Sequence, residues 1–212
     1  MVLDKKVAEQ TVNFLLQINA IKLNTKNPFT WTSGIKSPIY CDNRLILSYP
    51  DVRKFIADSM SEIIKNKYGE NISIAGVATG AIAIGAMIAE KLNLPYAYVR
   101  PKPKSHGLKN QIEGKIQTGS NIVVIEDLIS TGMSSLNAIN ALKSENYKVN
   151  GMLSIFSYNF DFANNKFNDE KILVNSLADY NTLVELIESQ GTLKSYEIMR
   201  LKKWREDPKT WI

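Results

Sequence analysis

From Asn71 onward the chain alternates short, apolar, β-rich runs with helical stretches, and no other feature restricts its fold as much. ISIAGV (72–77) reads as a buried strand, and the small-residue stretch after Gly80 as a helix packed closely on a sheet. YAYVR (96–100), NIVVIED (121–127) and GMLSIFS (151–157) read as further strands, with KILVNS (171–176) as a fifth. MSSLNAINALKSEN (133–146) is a helix between the third and fourth. Strand and helix in this order predict a central, mostly parallel sheet with helices on both faces, an α/β fold. Right-handed crossovers then collect the functional loops at the carboxyl ends of the strands.

Ahead of this region, Asp4–Leu23 carries Val7, Val12, Leu15, Leu16 and Ile18 at helical spacing. Asn24–Tyr49 is turn-rich and aromatic, with Pro28 and Pro38, and reads as irregular structure or short strands. A helix follows with Pro50 in its first turn and Val52, Phe55, Ile56, Met60, Ile63 and Ile64 on one face. Two helices, around Tyr180–Ser189 and Leu193–Glu206, close the chain. With 212 residues, 44% of them hydrophobic, and no repeat or Gly/Ser-rich linker, one domain with one core is expected. The single cysteine, Cys41, cannot form an intrachain disulfide. The longest nearly apolar stretch, Ala75–Ala89, is broken by Thr79 and by glycines, short of the ~20 residues that span a bilayer. The N-terminus lacks the layout of a signal peptide, so a cytoplasmic protein with no membrane partner is expected.

The net charge of +5 permits nucleic acid, and equally suits an enzyme with phosphorylated, acidic substrates. Its distribution is more informative. Arg100, Lys102, Lys104, Lys109 and Lys115 face one acid, Glu113, within sixteen residues, and the only histidine, His106, lies among them. Such a stretch is either a solvated surface loop or an anion-binding one.

VVIEDLISTGMSS (123–135) carries the strongest chemical signal. A continuous apolar strand ends in Glu126 and Asp127, and a short loop, Leu128–Gly132, then enters a helix. Unpaired N–H groups and the helix dipole make that position a phosphate seat, with Ser130, Thr131 and Ser134 adding hydroxyl donors. Carboxylates beside a phosphate are repelled unless they bind hydroxyls or a divalent cation. A ribose 5-phosphate meets both demands, with its phosphate on the loop and its hydroxyls on the acids. The alternative is a strand end followed by an ordinary Ser/Thr-capped helix. No G-x-x-x-x-G-K-[ST] and no G-x-G-x-x-G is present.

Glu126-Asp127, three residues, then Thr131-Gly132, behind an apolar run, resembles the phosphoribosyl-diphosphate signature of type I phosphoribosyltransferases. RPKPKSHGLKNQIEG (100–114) is similar to the mobile catalytic loop of the orotate phosphoribosyltransferases, and FTWTSGIKSPIYCDNRLILSYP (29–50) to their N-terminal hood. The likeness is close to the form found in many Gram-positive bacteria, and it spans essentially the whole chain, including WREDP near the C-terminus. It implies a single type I phosphoribosyltransferase domain, with a hood mainly from residues 1–50, a core over about 51–178 and C-terminal helices over about 179–212.

The implied reaction joins orotate to the phosphoribosyl group of 5-phosphoribosyl 1-diphosphate, with Mg²⁺, giving orotidine 5-phosphate and diphosphate in pyrimidine (UMP) synthesis. By the same likeness Arg100, Lys104 and His106 bind the diphosphate, and Lys104 and Asp127 are catalytic. Glu126, Asp127, Leu128, Ile129, Ser130, Thr131, Gly132, Met133 and Ser134 hold the ribose phosphate, and Ala78, Thr79 and Gly80 form a second diphosphate seat. Ser130, Lys36 and Tyr40 would face the orotate, with Arg44 and Phe29 as further candidates, and no side chain is assigned as a direct metal ligand. A homodimer sharing its active sites through the 100–114 loop is implied, with no nucleic-acid partner.

The chain departs from many relatives at Gly80, where they carry lysine, at Pro101, where they carry a basic residue, and in IFSYNF (155–160), which lacks the arginine some use for the orotate carboxylate. The fold also hosts nucleic-acid-binding regulators and purine enzymes. Lys104 and His106 point away from the former and the hood segment from the latter.

Overall fold

The computed structural model describes residues 1–31, 33–103 and 110–211. It opens with α1 (Lys5–Gln17), whose first turn is capped by the Asp4 carboxylate accepting from the Val7 N–H at 3.0 Å. The helix stops six residues before the sequence-predicted Leu23. Asn19 takes a left-handed φ of 56° and turns the chain, and Ile21–Leu23 form β1 instead. β2 (Phe29–Thr30) and β3 (Lys36–Ser37) pair as a hairpin, and β4 (Ile39–Cys41) runs antiparallel to β1 with Ile21 opposite Cys41. A 3-10 helix (Asn43–Ser48) leads into α2 (Pro50–Tyr68), which buries Val52, Ile56, Met60 and Ile64, the apolar stripe read from the sequence.

The alternating part follows as β5 (Ser73–Val77), α3 (Ala81–Leu92), β6 (Tyr96–Val99), β7 (Ile112–Glu113), β8 (Asn121–Ile129), α4 (Met133–Ser144), β9 (Lys148–Ser157), α5 (Asp161–Asp169), β10 (Val174–Asp179), α6 (Tyr180–Ser189) and α7 (Ser195–Glu206). The six-stranded sheet has the order β10-β9-β8-β5-β6-β7, parallel throughout except for β7. Along β8, Val123 and Ile125 pack toward α1, α2, α3 and α6, whereas Ile122 and Val124 pack toward α4 and Phe167 of α5. A strand buried on both faces needs this unbroken apolar run. Each such side chain contributes about 1.5–3 kcal/mol when fully buried.

Three further boundaries differ from the sequence reading. β8 runs on to Ile129 rather than ending at Asp127, because Leu128 and Ile129 keep pairing with Phe156 and Ser157 of β9. β10 is displaced from 171–176 to Val174–Asp179. Residues 171–173 are used in closing α5, where Lys171 has φ 56° and the Ile172 N–H donates to the Phe167 carbonyl at 2.9 Å. α5 itself, in a segment dense with aromatic and amide residues, was not foreseen.

The topology locates the functional crevice. β5 leads to α3 on one face of the sheet and to β6 on one side, and its other neighbour, β8, leads to α4 on the opposite face. The chain therefore diverges between the carboxyl ends of β5 and β8, the switch point where ligands of such sheets bind. Among the described residues, no helix is long and apolar enough to cross a membrane.

Candidate active site

Glu126 and Asp127 lie at the end of β8 but in different surroundings. Glu126 is 4% exposed, and both its oxygens are engaged. Oε1 accepts from the Asp127 N–H at 3.1 Å, and Oε2 accepts from the Ser135 hydroxyl at 2.8 Å. Burial first, and the neighbouring Asp127 charge second, push its carboxyl well above the usual range. Asp127 is half-buried and also raised, chiefly by burial. Its carbonyl accepts from Asn43 Nδ2 at 2.6 Å.

Beyond β8, Ser130 and Thr131 are half-buried, whereas Met133 and Ser134 are exposed at the start of α4. The residue preceding the helix is Gly132, with φ 75°, and no side chain caps the helix. A Cβ there would stand 3.0 Å from the Phe167 ring, so the position needs glycine for both conformation and space. A Ser/Thr cap is thus not what the loop provides. α3 likewise begins without a side-chain cap, at Gly80. Two uncapped helix starts flank the switch point, each with amide donors and a positive dipole end.

The two loops touch. A Cβ on Gly80 would collide with the Asp127 carboxylate, so the side-chain-free position leaves room for the acid. Ala78, Arg100 and Ser134 share the lining of a cavity of about 40 Å³ beside them. Arg100 pairs with Glu113 at 3.5 Å, and the base of the 100–111 segment is closed by the Arg100 N–H donating to the Gln111 carbonyl and Gln111 Nε2 to the Arg100 carbonyl, both at 2.9 Å. Lys104 and His106 lie outside the described residues. A larger cleft, of about 610 Å³, runs along β10 and α5, and none of the expected site residues lines it.

Among the N-terminal candidates, Lys36 is exposed and donates to Thr30 Oγ1 at 2.7 Å. Tyr40 packs beside Phe29 with ring centroids 5.8 Å apart. Arg44 is clamped by Asp42, from Nε at 2.6 Å and NH2 at 2.8 Å, which raises the guanidinium and holds the Asp42 carboxyl below its ordinary value. The sequence reading did not single out Asn43 or Ser135. Ser135 is foreshadowed by a hydroxyl in the first turn after the acids, whereas the Asn43 contact spans 84 residues and leaves no local signal.

Residues 46–159, more than half of the chain, match the family model described as the phosphoribosyl transferase domain, and the protein is of that class. The orotate phosphoribosyltransferase of Phocaeicola vulgatus is 47% identical over 209 residues, covering 99% of this chain and 97% of that protein. That of Lactococcus lactis subsp. cremoris is 47% identical over 197 residues, covering 93% of this chain and 94% of the relative. The crystal structure of orotate phosphoribosyltransferase from Aeropyrum pernix superimposes with a TM-score of 0.74 at 28% identity, covering 86% of this chain and 99% of that one. Within its class, this chain belongs to the orotate phosphoribosyltransferase family.

Proposed function

We infer that this protein transfers the phosphoribosyl group of 5-phosphoribosyl 1-diphosphate to N1 of orotate, releasing diphosphate and orotidine 5-phosphate for pyrimidine nucleotide synthesis. The observation that carries the reading is the meeting of Gly80 and Asp127 at the switch point, between two uncapped helix starts. One such start, with Ser130, Thr131 and Ser134, suits the 5-phosphate. The other, with Ala78, Thr79 and Arg100, suits the diphosphate, assisted by Lys104 and His106. Asp127, between them, faces the ribose hydroxyls. Glu126, whose oxygens are both occupied, holds the Asp127 amide and Ser135 and acts from behind.

The C1–O bond to diphosphate breaks as the bond to N1 of orotate forms, and the N1 proton of orotate passes to the departing diphosphate. The sugar passes through an oxocarbenium-like state, as in glycoside chemistry. The Asp127 carboxylate counters positive charge on the ring, and Lys104 counters negative charge on the leaving group. Lys36, Tyr40 and Ser130 are the candidates for holding orotate. Among the described residues no three His, Cys, Asp or Glu side chains form a metal cage. Asp127, at the end of β8, offers one carboxylate to Mg²⁺, which binds through one or two carboxylates plus substrate phosphates. Asp127, with Glu126 behind it, would hold the ion against the diphosphate, where it supplies charge neutralisation.

Between residues 45 and 49, Leu45, Leu47 and Tyr49 are each 37–44% exposed, apolar surface that supports pairing with a second copy. The chain is read as cytoplasmic, with small-molecule substrates and no nucleic-acid partner. Incubation with phosphoribosyl diphosphate, Mg²⁺ and, in turn, orotate, hypoxanthine, adenine or uracil tests the substrate. Orotate alone should be consumed. Consumption of a purine without orotate would overturn the assignment.

A further inference from the structure

Asn43 opens the 3-10 helix, is 3% exposed, and has both ends of its amide engaged. Nδ2 donates to the Asp127 carbonyl at 2.6 Å, and Oδ1 accepts from the Cys41 thiol at 3.2 Å. A flipped amide would set its oxygen against the Asp127 carbonyl oxygen, so the orientation is fixed. β5 pairs with β8 only as far as Ile125, so beyond that residue β8 has no strand partner on that side. Side chains take over at Asp127: Glu126 Oε1 receives its N–H at 3.1 Å and Asn43 meets its C=O. Both peptide planes flanking the Asp127 Cα are thereby held, which fixes the direction in which its side chain leaves the backbone. Gly80, directly opposite, leaves the space that the carboxylate occupies.

We propose that Asn43 is a positioning residue: it aims the Asp127 carboxylate at the ribose, and it ties the segment expected to bind the base to the phosphoribosyl half of the site. The inference rests on the phosphoribosyl-transfer reading above, in which Asp127 acts on the ribose. Asn43 touches no reacting atom itself. It acts through a backbone carbonyl, so its removal should misdirect the acid while leaving the phosphate seats in place.

Asn43→Leu fills similar space without a donor, and Asn43→Ala provides a second variant should the first fail to fold. With orotate and phosphoribosyl diphosphate, kcat should fall about 10–100-fold, while KM for phosphoribosyl diphosphate stays within about threefold. In an Asp127→Asn background the same substitution should cost less than about threefold more, since the group it aims has lost its charge. Hydrogen–deuterium exchange of the peptide covering residues 127–132 should rise in the variant, with α2 as protected as in the wild type. Unchanged kcat, an equal fold-loss in both backgrounds, or unchanged exchange at 127–132 would each overturn the proposal. If the wild type itself does not turn over orotate, the phosphoribosyl-transfer reading fails, and the exchange experiment alone decides whether Asn43 holds the Asp127 peptide.

Discussion

At 4% exposure, Glu126 is the acid of the crevice whose charge the fold opposes most strongly, because burial and the adjacent Asp127 both disfavour ionisation. A carboxyl raised in the folded state binds its proton more tightly there than in the unfolded chain. Its contribution to stability is therefore fully present below the ordinary carboxylate range and is lost as pH rises toward the elevated folded value. Glu126→Gln keeps an acceptor for the Asp127 N–H and offers an amide to Ser135, but cannot ionise. Thermal melts of the ligand-free protein should show the variant gaining on the wild type from about pH 4.5 upward, with the advantage gone at lower pH. A difference between the two that stays constant from pH 4 to pH 8 would show that the carboxyl titrates normally. A second substitution probes the neighbouring loop. Gly132→Ala places a methyl 3.0 Å from the Phe167 ring at φ 75°, and should cost about 1–3 kcal/mol in urea unfolding. An unchanged midpoint would mean that the loop relaxes freely.

At the scale of elements, α7 supports the segment expected to bind the base. Trp204 is fully buried, donates from Nε1 to the Lys36 carbonyl of β3 at 2.9 Å, and packs against Trp31, Tyr158 and Tyr180. Thr25 also donates to Glu197 Oε1 at 3.0 Å, across 172 residues. Trp204→Phe leaves the Lys36 carbonyl without its donor and opens space in the aromatic cluster, at a cost of about 2–4 kcal/mol. The urea midpoint should fall, and KM for orotate should rise more than KM for phosphoribosyl diphosphate. A stability loss with both KM values unchanged would separate this hairpin from base binding. The elements themselves differed in how plainly the sequence announced them. α2, β5, β8 and α4 were legible because each buries a stripe or a run that one period describes. α1 ends short of Leu23 because the left-handed Asn19 breaks the helix after Ile18, and Ile21 and Leu23, two residues apart, keep a strand interval instead. β10 lies three residues later than its apolar run suggests, because Lys171, Ile172 and Leu173 close α5, and Asp179 at its far end does not read as a strand interior. The acids and the helix after them were legible in the same way, as charge late in an apolar strand and a helix that starts at glycine, although the strand itself runs two residues past the acids. Asn43 and the Gly80–Asp127 approach were not, since long-range side-chain contacts have no periodicity to read.

The whole molecule is expected to work as a two-fold dimer, with the 100–114 loop of one subunit completing the site of the other. Lys104→Ala and Asp127→Asn, each nearly inactive alone, then provide a complementation test. In a mixed dimer one site regains both intact groups and the other carries both defects. Equal random mixing makes about half the dimers mixed, each with one good site, so roughly one quarter of full activity should return. No recovery in subunits shown to exchange would assign the loop to its own subunit. The central claim is narrower: that the switch-point crevice transfers a phosphoribosyl group to orotate through Asp127. It is tested most directly by measuring diphosphate release and orotate consumption together in the wild type and in Asp127→Asn, with saturating phosphoribosyl diphosphate and Mg²⁺. The wild type should release one diphosphate per orotate consumed, and the variant should be slower by about 30–1000-fold, a loss of about 2–4 kcal/mol in transition-state stabilisation. Diphosphate release without orotate consumption, or near-normal turnover in a folded Asp127→Asn protein, would contradict it.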